Sequence, residues 1–409
     1  RRSGRAAQRA ASRVRVSGLP LRGILAALLA LAIGPGALQA QPAPLNIDVI
    51  LSLTGAAAFS GQTDEQTIAA FEKYANAHGG VHGQPIHFAV VDDQSSPQVA
   101  LQLADAIAAR HVAVIIGSVT TPTCAAVGAA LAASGPVSYC LSPGYAPPPN
   151  SYSFASTATI TSSAHAQLTF AKLRGIRRIA FLISTDATGI ASAQVYATLL
   201  KQADLRQIQL VADERIGATE ISATAQMANI KAAHPDLVYT STNGPLFATA
   251  MRAMSDVGLS VPVITTSANA NVPQLKALSA YLPRELFFNG FPEQLGDRLR
   301  DTGIRAQIAA FDEAFKLTGV APTDANALAW DGLLLTLAGF RHFGPAMTAD
   351  QLKTFMLGQR HFAGMNGYYD FSNGDQHGLG PDGVVVVGYD KATGDFYPAS
   401  ELGGVPLKR

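Results

Sequence analysis

The sequence predicts an α/β protein of two lobes, each a parallel sheet flanked by helices, joined by three hinge crossings. Three observations predict it. Short apolar strands alternate with amphipathic helices from residue 45 onward. The 409-residue length exceeds what a single hydrophobic core usually holds. The alternation also breaks and restarts near residues 155, 290 and 370. Residues 45–157 and 290–370 are therefore expected to form the first lobe, and 158–289 and 371–409 the second.

Each element has its own signals. Asn46 to Leu51 reads as a strand ending in Leu53-Thr54-Gly55. The polar cluster Ser60, Gly61, Gln62 and Thr63 is expected to cap a helix whose inner face carries Ile68, Phe71 and Tyr74. Gly79, Gly80 and Gly83 turn the chain into Ile86 to Val91, an unbroken apolar run that predicts a strand buried on both faces. Ser96-Pro97 opens a helix with Val99, Leu103, Ala106 and Ile107 inward. Ala113 to Ile116 stops at Gly117, and Ser118-Val119-Thr120-Thr121-Pro122 starts another helix. In such a βαβαβ unit, ligands sit beyond the carboxyl ends of the strands.

Val137 to Leu141 is the next strand, followed by Ser142-Pro143-Gly144-Tyr145 and a proline-rich run to Pro149, which fixes φ and removes donors. After Tyr152 to Ala155 the alternation restarts: helix His165 to Leu173, strand Arg178 to Ile183, helix Ala191 to Ala203, strand Ile208 to Val211, helix Glu220 to Ala233 and strand Leu237 to Thr240. Thr242-Asn243-Gly244-Pro245 is a further strand-to-helix corner, with Met251, Met254 and Val257 inside the helix that follows. Val263-Ile264 and Leu286 to Phe288 are short strands, and Asn289 to Pro292 is the return crossing. Helices Ile304 to Thr318 and Thr323 to Phe343 complete the first lobe. Gly364 to Gly383 has no helical period and is expected to be the third crossing. Val384 to Val387 and Asp395 to Tyr397 are terminal strands of the second lobe.

Composition excludes several functions. A formal net charge of +1 with 14% charged residues gives no basis for binding nucleic acid, and a single Trp offers no base-stacking platform. Basic residues from Arg1 to Arg15, an apolar run from Leu21 to Ile33 and the small residue Ala40 read as a signal peptide over residues 1–40, directing export to the periplasm. Two cysteines, Cys124 and Cys140, permit one disulfide. No nucleophile elbow, phosphate loop, zinc-binding helix or dinucleotide fingerprint occurs, so an enzyme is not expected, nor a cofactor. His78, His82 and His87 flank a glycine turn without metal-ligand spacing and read as surface residues. Asp92-Asp93 reads as corner structure rather than an acid pair, because consecutive residues at a strand end point apart.

Thr54-Gly55, Asn76 with Gly79-Gly80-Val81, Gly83-Gln84-Pro85, Val91 to Ser95 and Ile115-Ile116-Gly117, in this order and spacing, resemble the periplasmic branched-chain amino acid binding protein family. The resemblance covers nearly all of the chain after residue 45. It implies a type I binding-protein fold and the solute-binding role of an ABC importer, with a monomer delivering a small molecule to an inner-membrane permease. Ligand-sensing regulators and receptor ectodomains share the fold. The resemblance also places the ligand carboxylate at Thr121, beside Ser118, Thr120 and Ser142, and a backbone carbonyl for its amine at Gly144. Tyr145 or Phe291 would wall the cleft, and Thr54, Thr188, Asn243 and Asn269 complete the candidate site. Departures matter: Thr188 and Asn243-Gly244 stand where amino-acid binders usually carry aromatics. The usual amine-binding acid falls on or beside Ala268, where there is none. A buried ammonium without a counter-ion costs several kcal/mol, so this pattern points toward aromatic carboxylates.

Overall fold

The computed structural model describes residues 43–155, 158–217 and 219–407; the signal peptide expected over residues 1–40 lies outside them. β1 (Leu45–Leu51), α1 (Ala58–Ala77), β2 (Ile86–Asp92), α2 (Pro97–Ala108), β3 (Val114–Ile116), α3 (Thr121–Leu131), β4 (Val137–Cys140) and β5 (Ser153–Ala155) build the first unit. Its five strands are parallel in the order β2-β1-β3-β4-β5. Then come α4 (Ile160–Leu173), β6 (Arg178–Ser184), α5 (Ala187–Leu199), β7 (Gln209–Ile216), α6 (Thr224–Ala232), β8 (Leu237–Thr240), α7 (Pro245–Asp256), β9 (Val263–Thr265), α8 (Val272–Ala277) and β10 (Leu286–Gly290).

The chain returns to the first sheet through α9 (Thr302–Thr318), α10 (Ala327–Phe343) and α11 (Ala349–Leu357), then makes a small ribbon from β11 (Phe362–Ala363) and β12 (Tyr368–Tyr369). It ends in β13 (Val385–Asp390) and β14 (Asp395–Pro398). These two strands run antiparallel on the edge of a seven-stranded sheet of order β14-β13-β10-β9-β8-β6-β7. Each sheet is covered by helices, because a parallel strand buried on both faces needs an apolar layer on each side.

Trp330 of α10 is the centre of the first core, fully buried and in edge contact with Phe71 of α1 (4.9 Å between ring centroids) and Phe311 of α9 (5.3 Å). Phe371 and Leu379, beyond β12, pack into the same core. Met251, Met254, Phe247 and Phe288 line the core of the second sheet. The same close approach recurs in both: a side chain on Gly61 of α1 would strike the Ser52 carbonyl after β1, and one on Gly189 of α5 the Ser184 carbonyl at the end of β6. Glycine is needed there to let the helix pack against its own strand end.

Several elements differ from the sequence reading. The cluster Ser60 to Thr63 lies inside α1, which begins at Ala58 behind an Ala57 that supplies no capping side chain. β2 is an edge strand with exposed His87, not a strand buried on both faces. α2 turns Ala100, Ala104 and Ile107 inward and leaves Ala106 exposed, a one-residue rotation of the expected face. α5 starts four residues early because Asp186 caps it, accepting from the Gly189 N–H at 2.8 Å.

Candidate functional site

The carboxyl ends of the first-sheet strands are knotted together by two adjacent acids. Asp93 is fully buried and accepts hydrogen bonds from the hydroxyls of Ser52 (2.6 Å) and Ser118 and from the Ser95 N–H (2.8 Å). Asp92 accepts from the Thr54 hydroxyl (2.6 Å) and from the N–H groups of Leu53, Thr54 and Gln94. Burial raises its pKa, but these hydrogen bonds outweigh that and hold the carboxyl below the usual range. The Thr54 hydroxyl is therefore engaged within the corner.

Thr120 caps α3 in a reciprocal box with Thr123, accepting from its N–H at 3.3 Å. Thr121, the first residue of the helix, is exposed, and its hydroxyl lies 3.1 Å from that of Ser142. A side chain at Gly144 would come within 2.5 Å of the Thr121 hydroxyl, so glycine leaves that oxygen open. Thr121, Ser142 and Gly144 thus form one cluster at a helix N-terminus, where the hydroxyls and the helix dipole favour an anion. Tyr145 turns away from it. The ring is buried in a small cluster with Ala155 and the Cys124–Cys140 disulfide, and its hydroxyl abuts Gly128. The Tyr145 carbonyl accepts from His377 at 2.8 Å.

Corners of the second sheet are more self-contained. Asp186 takes hydrogen bonds from Ser184 (2.7 Å), Gly189 and Thr188; they outweigh burial, which acts the other way, and keep its carboxyl below the usual range. Thr188 is exposed on the first turn of α5. Asn243 accepts from the Thr266 hydroxyl at 2.8 Å. Asn269 is fully buried: its amide donates to the Thr242 carbonyl (2.7 Å) and the Thr265 hydroxyl (2.8 Å), and its oxygen accepts from the Gly244 N–H (3.2 Å). Asn269 ties β8 to β9. Phe291 is half-buried, and its N–H donates to Gln294.

Two residues escaped the sequence reading. A cavity of about 210 Å³ at the carboxyl edge of the first sheet is lined by Phe59, Ser60, Thr63 and Asp64 of α1, with Val119, Leu141 and Pro143 across from them. Phe59 is 79% exposed, whereas Asp64 is 4% exposed. Among the described residues no donor reaches the Asp64 carboxyl, and burial alone raises its pKa to about 8. The signal was helical spacing: Asp64 stands four and seven residues before Ile68 and Phe71, on the inner face of α1. A larger cavity, about 850 Å³, lies between the loop after β4, the start of α4 and the segment after β12. It touches Gly144 and Tyr145 but none of Thr120, Thr121, Thr188, Asn243, Asn269 or Phe291. Among the described residues no group of His, Cys, Asp and Glu is arranged to hold a metal, and no helix is long and apolar enough to cross a membrane.

A periplasmic binding protein family model matches residues 44–392. The chain belongs to this family. Solved structures agree at the level of fold. A putative branched-chain amino acid ABC transporter protein from Rhodospirillum rubrum superposes with a TM-score of 0.72 at 20% identity, covering 87% of this chain and 99% of that one. An extracellular ligand-binding receptor from Rhodopseudomonas palustris gives 0.67 at 18% identity over 87% and 99%. The branched-chain amino acid transporter substrate binding protein LivJ from Streptococcus pneumoniae, solved in complex with isoleucine, gives 0.62 at 15% identity over 87% and 99%. A search of curated proteins finds no significant match. The periplasmic binding protein assignment makes this a two-lobe type I solute-binding protein, not an enzyme.

Proposed function

We propose that this periplasmic binding protein is the solute receptor of an ABC importer, exported to the periplasm and acting as a monomer. It captures a small carboxylate between lobes formed by residues 45–157 with 290–370 and by 158–289 with 371–409, the stretch with Phe371 and Leu379 still packing on the first, and delivers it to an inner-membrane permease. The ligand is a hydrophobic or branched-chain amino acid or an aromatic carboxylate. The observation that carries this reading is the exposed Thr121 hydroxyl, paired with that of buried Ser142 beside Gly144, at the N-terminus of α3. Such a cluster can bind a carboxylate oxygen with hydroxyl and backbone donors together. Closure follows if one ligand contacts both lobes, because only the closed state offers it both sets of contacts. Exposed Thr188 would then meet the ligand from the second lobe, and half-buried Phe291, just past the return crossing, would wall the cleft.

The test is a thermal-shift screen of the chain, unfolded and refolded to strip carried ligand, against hydrophobic amino acids and aromatic carboxylates. A ligand at about 100 times its dissociation constant adds ~2.7 kcal/mol to stability. A raised melting temperature with at least one carboxylate is the expected result; no shift with any of them would remove the reading.

A further inference from the structure

We propose that Asp64, at the floor of the small cavity in the first lobe, is the seat for a protonated amine of the ligand, so that the cargo carries a cationic nitrogen as well as a carboxylate. This rests on the solute-binding reading and names the class of solute. Asp64 is 4% exposed, yet among the described residues no hydrogen-bond donor or cation meets its carboxyl. Buried carboxylates in folded proteins are paired or hydrogen-bonded almost without exception. An unpartnered buried carboxyl facing a cavity of about 210 Å³ is one that an incoming cation can ionise and pair with.

The cavity fits an ammonium better than other cations. Its oxygens are those of Asp64, Ser60 and Thr63, too few to replace the shell of six or more that a calcium or magnesium ion takes. The Thr63 hydroxyl already donates to the Phe59 carbonyl at 2.8 Å, which leaves its lone pairs facing outward as acceptors. Val119, Leu141 and Pro143 make the remaining wall apolar, so a charge pair formed there is poorly screened. The exposed Phe59 ring at the rim can cover a bound cation with its face. Val119 precedes Thr120, and Leu141 and Pro143 flank Ser142, so the cavity and the hydroxyl cluster share one strand edge. The proposed solute would span the two. The absence of an acid at Ala268 then means that the counter-ion lies on the opposite lobe.

The proton balance gives a signature. Empty, the carboxyl keeps its proton, because burial holds its pKa near 8. Binding an ammonium ionises it and releases that proton to solvent, and no other titratable side chain lines the cavity. Amine affinity therefore rises with pH up to about 8.

Calorimetric titration of the refolded chain with matched pairs tests this: L-leucine against 4-methylpentanoate, and L-phenylalanine against 3-phenylpropanoate. The amine-bearing member is expected to bind at least about tenfold tighter. Asp64→Asn should erase that preference by weakening the amine alone, while Glu65→Gln, exposed one residue away, leaves it unchanged. In the native protein the amine's affinity should climb about fiftyfold between pH 6 and pH 8. Amine preference that survives Asp64→Asn overturns the inference. Binding of only the desamino acids overturns it too but leaves the solute-binding reading standing, and binding of none removes both. Should Asp64→Asn fail to fold, the pair preference and pH slope of the native chain decide the matter.

Discussion

Two buried carboxyls sit on helices packed around the same core, and they are treated in opposite ways. Asp331 of α10 is fully buried and accepts from the N–H groups of Met365 (2.7 Å) and Asn366 (2.9 Å), the Asn366 amide (3.0 Å) and the Tyr369 hydroxyl (2.9 Å). It pins the segment around β12 to the first lobe. Burial raises its pKa, and these donors pull it part of the way back. Asp64 of α1 is buried nearly as deeply, with burial acting alone. The difference separates an acid that holds the fold from an acid that the fold tolerates. Tolerated strain of this kind persists where function needs it.

Substitutions sharpen that contrast. The largest effect is expected from Asp331→Ala, which strands two backbone N–H groups, an amide and a hydroxyl; chemical denaturation should show a loss of about 3–5 kcal/mol. Asp64→Asn should act in the opposite direction, stabilising the unliganded chain at pH 7 by ~2–4 kcal/mol, because an amide need not take up a proton to be buried. Asn269→Ala should remove about 1–3 kcal/mol of stability by freeing the Gly244 N–H and the Thr242 carbonyl, although it sits among the candidate site residues. Thr121→Ala should leave the melting temperature unchanged and weaken carboxylate binding by roughly 1–3 kcal/mol in calorimetry. If Thr121→Ala instead unfolds the chain, the assignment of its hydroxyl to a ligand is wrong.

Much of this was readable in the sequence, and the failures have physical causes. Strand-to-helix alternation placed the parallel strands of both sheets, because apolar runs and glycine corners dominate that signal. Periodicity does not say which strand lies at an edge, so β2 read as buried despite His87 in its middle. α11 went unread although Thr348 and Gln351 form a capping box at its start. At the candidate site, Thr121, Ser142 and Gly144 lie together at the start of α3. The Asn269 amide and the Tyr145 ring are engaged by hydrogen bonding and packing to residues distant in sequence, which spacing alone does not reveal. Asp64 directly follows the polar run Ser60 to Thr63 that reads as a cap. Its spacing from Ile68 and Phe71 put it inside, but only the structure shows that, among the described residues, no donor there meets its carboxyl.

That last point is the centre of the account, and the pH dependence of stability tests it without any ligand. Unfolded, the Asp64 carboxyl loses its proton near pH 4; folded, it keeps it up to about 8. Between those values the native state binds more protons, so this group's contribution to stability falls as pH rises from about 4 to about 8 and is level above. The measurement is chemical denaturation of the native chain and of Asp64→Asn at intervals from pH 4.5 to pH 8.5. The account predicts that the variant's advantage grows with pH across this window, reaching several kcal/mol. Parallel curves for the two proteins would show that Asp64 ionises freely in the folded chain, and would contradict it.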